Sequence, residues 1–372
     1  MNSQRTPNLL TPAYWLENPS RLVDLLLIFV PIALALELIH APATPIFITA
    51  ALAIVPLAGI LGEATETLAE KVGTRAGALL NATFGNAAEL IITIAAIQAG
   101  LLDVVKASIT GSIIGNLLLV TGLSVLLGGI KNGSQKFDRR GVSIMMTTMT
   151  IALIGLVIPA IFAHSIEQVN QIGVEYLSIG VAVALIASYA LSLLFTFRLG
   201  RTSQTPTAEP VEGVAEPRIH GTPMALVVLF VAVAFVAVLS EILVSAVEPL
   251  IKAQGLTALF VGVIIVPIIG NAAEHLVAVE MALKNRMELT LGVAIGSSMQ
   301  IALFVAPLLV FISLAMGQQL TLVFNEFELI AVIAAVVITA LISLDGESNW
   351  LEGAQLLIVY LILALAFFFL PA

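Results

Sequence analysis

Residues 85–89 read GNAAE, and residues 270–274 read GNAAE again, 185 positions later. The same offset sets Asp103 against Glu288, and Gly111 and Ser112 against Gly296 and Ser297. It also sets Leu118, Val120, Leu123 and Val125 against identical residues. The chain therefore reads as an internal duplication. Each GNAAE lies inside a long apolar stretch, so each copy places one carboxylate, Glu89 or Glu274, deep in a segment that otherwise avoids charge.

Working outward from these motifs, the chain divides into eleven apolar segments. They run approximately over 22–40, 44–68, 75–101, 106–130, 141–163, 176–197, 223–251, 256–283, 288–316, 325–344 and 351–370. Each is long enough to cross a hydrocarbon core of roughly 30 Å as a helix. The segments lack the alternation of a membrane strand, so the expected fold is an all-α polytopic membrane protein with eleven transmembrane helices. Composition agrees, with 59% hydrophobic and only 10% charged residues among 372, far below the roughly 25% charge of a soluble domain. Without cysteine, disulfides and thiolate metal sites are excluded. A net charge of −9 carries no basic footprint for nucleic acid.

The basic residues test the topology independently. Arg5, Arg21, Lys71, Arg75, Lys131, Lys136, Arg139, Arg140, Arg198, Arg201, Arg218, Lys284 and Arg286 fall on one side, and only Lys106 and Lys252 on the other. The positive-inside rule then predicts a cytoplasmic N-terminus and an external C-terminus. The first apolar run begins after about 21 residues without a small-residue cleavage site, so it reads as a retained helix.

The second to sixth helices correspond to the seventh to eleventh. An odd number per copy inverts the second copy relative to the first, which is the inverted-repeat plan of many secondary transporters. The expected organisation is an N-terminal tail and first helix over 1–43, a five-helix repeat over 44–198, an acidic cytoplasmic linker over 199–222, and a second five-helix repeat over 223–372. The linker is polar, with Pro206, Pro210, Pro217, Glu209, Glu212 and Glu216; it reads as solvated chain or as a segment that attracts cations to the cytoplasmic mouth.

A carboxylate at the bilayer centre costs about 2.5–3.5 kcal/mol on insertion scales. Two such groups persist only if they face a hydrated cavity, hold protons or hold a cation. Asn86 and Asn271 precede the acids by three residues and share their helix faces. Gly85 and Gly270 allow close backbone approach or a loosened helix. The fourth and ninth helices add Ser112, Asn116, Ser297, Ser298 and Gln300. Interhelical packing explains these polar residues as well as ligation does. As a donor set they are all oxygen, which with two carboxylates suits Ca²⁺ or Mn²⁺ better than zinc or copper. A divalent ion neutralises the pair, and so do two protons.

His275 follows Glu274 and is the only histidine in the interior of a segment, His40 standing at the edge of the first. It reads as a packing residue or as a proton relay. Glu63, Glu66, Glu241 and Glu248 lie on the second and seventh helices, as interfacial anchors or as gating acids on a sliding helix. The offset of 185 pairs Glu63 with Glu248, whereas aligning Gly73 with Gly255 pairs Glu66 with Glu248.

The stretches LLNATFGNAAELI (79–91) and VGVIIVPIIGNAAEHLVAVE (261–280), followed by GSIIGNLLLVTG (111–122) and GSSMQIALFVAPLLV (296–310), resemble the cation/proton exchanger family, the Ca²⁺/H⁺ antiporters of the Ca²⁺/cation antiporter superfamily. The resemblance covers about residues 45–370. It implies two inverted five-helix repeats after one extra helix, Glu89 and Glu274 as the central cation-binding acids, and His275 in proton coupling. Gly115 departs from it, standing where a serine is expected. Ala88 and Ala273 stand where sodium/calcium exchangers carry a proline, which argues for protons.

The expectation is a secondary antiporter, not an enzyme, that exports a divalent cation, Ca²⁺ foremost, from the cytoplasm in exchange for protons by alternating access. Its rivals are a Na⁺/Ca²⁺ exchanger, a Mn²⁺/H⁺ antiporter and a channel. A membrane hydrolase lacks support, since no H-E-x-x-H pair or Gly-x-Ser-x-Gly elbow occurs. No cofactor is expected beyond the transported Ca²⁺ and H⁺. The expected partners are those ions and the lipid bilayer, in a bacterial inner membrane, and a homo-oligomer is compatible with this reading.

Overall fold

A chain in lipid must satisfy its backbone hydrogen bonds internally, and nearly every described residue does so in a helix. The computed structural model describes residues 23–167, 171–199, 219 and 221–370. The tail through residue 22 and nearly all of the 199–222 linker lie outside the described residues. After a 3₁₀ turn at Val23–Ile28 come α1 (Phe29–Leu38), α2 (Ala43–Val72), α3 (Thr74–Phe84) and α4 (Ala87–Gln98). Next are α5 (Leu102–Asn132), α6 (Arg139–Glu167), α7 (Gln171–Leu199) and α8 (Thr222–Gln254). The chain ends with α9 (Ala258–Leu283), α10 (Met287–Ala315), α11 (Glu326–Ile342) and α12 (Trp350–Phe369).

Among the described residues, eight of these are long and apolar enough to cross a membrane: α2, α5, α6, α7, α8, α9, α10 and α12. The protein is a multi-pass membrane protein. Three predicted segments map onto shorter pieces. The first holds the 10-residue α1, the third is divided between α3 and α4 of 11 and 12 residues, and the tenth holds the 17-residue α11.

One feature was not expected of an all-α chain. Gln135–Lys136 (β1) and Glu347–Ser348 (β2) pair antiparallel and join the α5–α6 and α11–α12 loops. Lys136 and Glu347 add an exposed ion pair at 3.3 Å. Gln135 is buried, and its Nε2 donates to the Ala282 carbonyl at 2.9 Å and to Asn285 Oδ1 at 3.0 Å. The end of α9 is thereby tied to the same loops.

The buried apolar residues form two main bodies. One is built mainly on α1, α2 and α8, the other mainly on α5, α6, α7, α10 and α11. Both α4 and α9, the GNAAE helices, contribute to each body, so both motifs lie along the seam. There α5 crosses α9 at two glycines. A Cβ on Gly111 would collide with the Val263 backbone, and one on Gly262 with Ala107 and the Val104 carbonyl. Small residues at a crossing let membrane helices approach to backbone contact. Wide π turns interrupt α5 at Gly115–Val120, α9 at Val261–Ile265 and α10 at Ile301–Val305.

Candidate functional site

Identical motifs adopt two backbones. In the first copy the helix is interrupted at Gly85 and Asn86, and α4 restarts with Asn86 as its N-cap and Glu89 in its first turn. In the second copy α9 runs unbroken through Gly270 and Asn271, so of the two expectations for the motif glycines the loosened helix occurs at Gly85 and the close approach, to Glu89, at Gly270. The five motif residues cannot by themselves make this difference, because both copies read GNAAE. The first-turn position favours a charged Glu89, since the N-terminal end of a helix is electropositive. Glu274 lies mid-helix and has no such support.

The close α5–α9 crossing brings the two motifs together. Glu89 is buried; its Oε1 accepts hydrogen bonds from Ser112 Oγ and from Asn271 Nδ2, the latter at 2.6 Å. Asn271 Nδ2 also lies 3.2 Å from Ser112 Oγ and 3.0 Å from the Pro267 carbonyl. Glu274 is half-buried, and its Oε2 accepts from Ser297 Oγ at 2.5 Å. Each acid thus takes a serine hydroxyl from the helix that follows it, 23 residues on. Glu89 packs on Gly270, where a Cβ would stand 2.8 Å from Glu89 Cγ. Asn86 Nδ2 donates to Gln300 Oε1 at 2.7 Å, a further bond between the copies.

Asn86 Oδ1 and Glu89 Oε2 are buried oxygens without a hydrogen-bond partner. Leaving a polar atom unpaired away from water is costly. Two unpartnered acceptor oxygens in one motif fit an oxygen-seeking cation as their missing partner. Among the described residues no group of three or more His, Cys, Asp or Glu side chains that could hold a metal ion comes together.

Other predicted residues fall elsewhere. Ser298 is buried, but its hydroxyl bonds the Ala294 carbonyl in its own helix. Asn116 is buried with Nδ2 unpartnered, and no hydrogen bond joins it to either acid. His275 Nε2 is buried without a partner. Gly59 of α2 faces Ala273, where a Cβ would stand 3.6 Å from Ala273 Cβ. Half-buried Glu63 is one turn further along α2, and Glu66 is exposed beyond it. Glu241 is exposed, and Glu248 forms an exposed ion pair with Lys252 at 3.8 Å. Glu328 was missed. It is buried and accepts from Thr110 Oγ1 and from the Asn325 backbone N–H, each at 2.8 Å. Its signal was the Asn325–Glu328 capping box at the start of α11.

The family model described as sodium/calcium exchanger protein matches residues 42–198 and 224–369. The chain belongs to the sodium/calcium exchanger protein family. Within it, the chain is 46% identical over 357 residues to a Ca²⁺/H⁺ antiporter of Aphanothece halophytica, covering 93% of this chain and 96% of that one. It is 46% identical over 365 residues to a Ca²⁺/H⁺ antiporter of Synechocystis sp., covering 95% and 98%. The exchanger fold is likewise similar to the solved structure of YfkE, a Ca²⁺/H⁺ antiporter protein, with a TM-score of 0.82 at 39% identity, covering 94% of this chain and 100% of that one.

Proposed function

We propose that this exchanger is a secondary antiporter that exports Ca²⁺ from the cytoplasm in return for protons. The observation that carries the reading is the seam between the two apolar bodies, where the motif helices of both copies meet. Two carboxylates lie there among hydroxyl and amide groups, with Asn86 Oδ1 and Glu89 Oε2 buried and unpartnered. Glu89, Glu274, Asn86, Asn271, Ser112 and Ser297 form the cation site, which Gln300 borders through Asn86. Either one Ca²⁺ or two protons cancel the charge of the acids. The empty dianion is costly to enclose in low dielectric, so the site changes sides only when loaded, and the two fluxes are coupled. The names of the similar antiporters favour protons over Na⁺.

Alternating access fits the two apolar bodies, with α1, α2 and α8 shifting against the remainder and the motif helices between them. Glu63 and Glu66 on α2 lead from the Ala273 contact toward the cytoplasmic end and serve as the entry ladder. His275, with an unpartnered ring nitrogen, serves proton transfer. Eleven spans, two inverted repeats, a cytoplasmic N-terminus and an external C-terminus in a bacterial inner membrane complete the proposal. The π turns at Gly115–Val120 and Ile301–Val305 support the repeat, since they fall at equivalent positions. Both α2 and α8 end on a positive-φ glycine, Gly73 and Gly255, which favours pairing Glu66 with Glu248.

Ca²⁺ uptake into inverted vesicles without Na⁺ tests the proposal. An acid interior is expected to drive uptake, and uptake indifferent to that gradient would defeat it.

A further inference from the structure

The two motif asparagines are identical in sequence but not in setting. Asn271 gives its amide to Glu89, to the neighbourhood of Ser112 and to the Pro267 carbonyl. Asn86 gives its amide to Gln300 Oε1, and its own Oδ1 is left buried and unpartnered. Asn86 is also the N-cap of α4, where an asparagine oxygen ordinarily accepts from the first-turn N–H groups. Here it makes no such bond. Something other than the helix start therefore sets its orientation, and the bond to Gln300 is what the structure shows holding it.

A cation accepts lone pairs and is repelled by N–H groups, so an asparagine ligates only with its oxygen turned inward. We infer that Gln300 is a positioning residue that holds the Asn86 amide so that Asn86 Oδ1 is presented as a cation ligand, and that the first copy has no counterpart because Gly115 stands in the equivalent place. The inference rests on the proposed Ca²⁺ site. Gln300 Oε1 is engaged by Asn86, so Gln300 acts through its neighbour. The asymmetry follows from spacing. Gln300 lies three residues after Ser297, on the same helix face, and Gly115 lies three after Ser112. Asn271 Nδ2 is already 3.2 Å from Ser112 Oγ. With no acceptor at position 115, that amide turns to Glu89. One asparagine is thus set to receive a cation, and the other to hold a carboxylate.

Calorimetric titration of Ca²⁺ into the purified full chain tests this without requiring transport. Gln300→Met keeps the length and removes the acceptor; it is expected to weaken Ca²⁺ binding about tenfold, as loss of an outer partner of a ligand commonly does. Asn86→Ala is expected to weaken it at least as much, and the double variant no further than Asn86→Ala alone. Losses that multiply would overturn the inference, because Gln300 would then act independently of Asn86. Gly115→Gln is the second arm, with no atom within 4 Å of the added Cβ. It supplies an acceptor for the Asn271 amide and is expected to tighten Ca²⁺ binding severalfold at neutral pH; unchanged binding would count against the inference. A wild-type chain that binds Ca²⁺ but does not exchange it would refute the transport reading alone and leave this test in force.

Discussion

Gly270→Ala adds one methyl group at the point where the two copies touch. The new Cβ would stand 2.8 Å from Glu89 Cγ and 3.8 Å from Glu89 Cα. Ordinary carbon contacts are about 3.5–4.0 Å, so Glu89 must retreat by close to 1 Å. The clash falls on the middle of the side chain, and relief by rotation pulls Oε1 away from Asn271 and Ser112. Overpacking by one methyl costs about 1–3 kcal/mol. At about 2 kcal/mol the apparent Ca²⁺ affinity falls roughly 30-fold. Gly292→Ala, on α10, is the control, since its Cβ meets nothing within 4 Å. The assay is Ca²⁺ uptake into inverted vesicles across a Ca²⁺ series, normalised to inserted protein. Gly270→Ala with the same apparent affinity as Gly292→Ala would refute the packing of Glu89 on α9.

Glu89→Gln and Glu274→Gln are each expected to abolish Ca²⁺ uptake while the protein remains inserted, because each removes one of two charges; normal uptake by either would remove that residue from the site. Apparent Ca²⁺ affinity is expected to weaken as pH falls on the binding side, since protons and Ca²⁺ compete for the same carboxylates. A pH-independent affinity would separate the two sites. The chain has no cysteine, so single cysteines report sidedness. Ser134→Cys, in the exposed α5–α6 loop, should label only from the cytoplasm, and Gln319→Cys, between α10 and α11, only from outside. The opposite pattern would invert the topology.

Much of this was legible because the membrane makes polar residues expensive. An acid inside an apolar run is conspicuous, and two at one offset announce the duplication and mark a candidate site. The same offset singled out Ser112 and Ser297 as equivalent residues, and each bonds the acid of its own copy. What the sequence left open depends on tertiary approach. The interruption at Gly85–Asn86 and the unbroken helix at Gly270–Asn271 arise on the same five residues, so the motif alone does not decide between them. That Asn271 reaches across to Glu89 depends on how closely α5 and α9 cross at Gly111 and Gly262. Ser298 has the residue type of a ligand, yet it turns to its own helix. Buried Gln135 and Glu328 gave little compositional signal, because each lies at a segment edge where polar residues are common.

The central claim is that Ca²⁺ and protons share one site and are exchanged. The most direct test is flux in proteoliposomes of the purified chain, without Na⁺, with internal Ca²⁺ and internal pH recorded together. With an acid interior and Ca²⁺ outside, Ca²⁺ entry should be matched by internal alkalinisation, and reversing the Ca²⁺ gradient should drive protons the other way. Both signals should vanish in Glu89→Gln. Ca²⁺ entry with no proton movement, or entry that appears only with an outward Na⁺ gradient, would contradict the account.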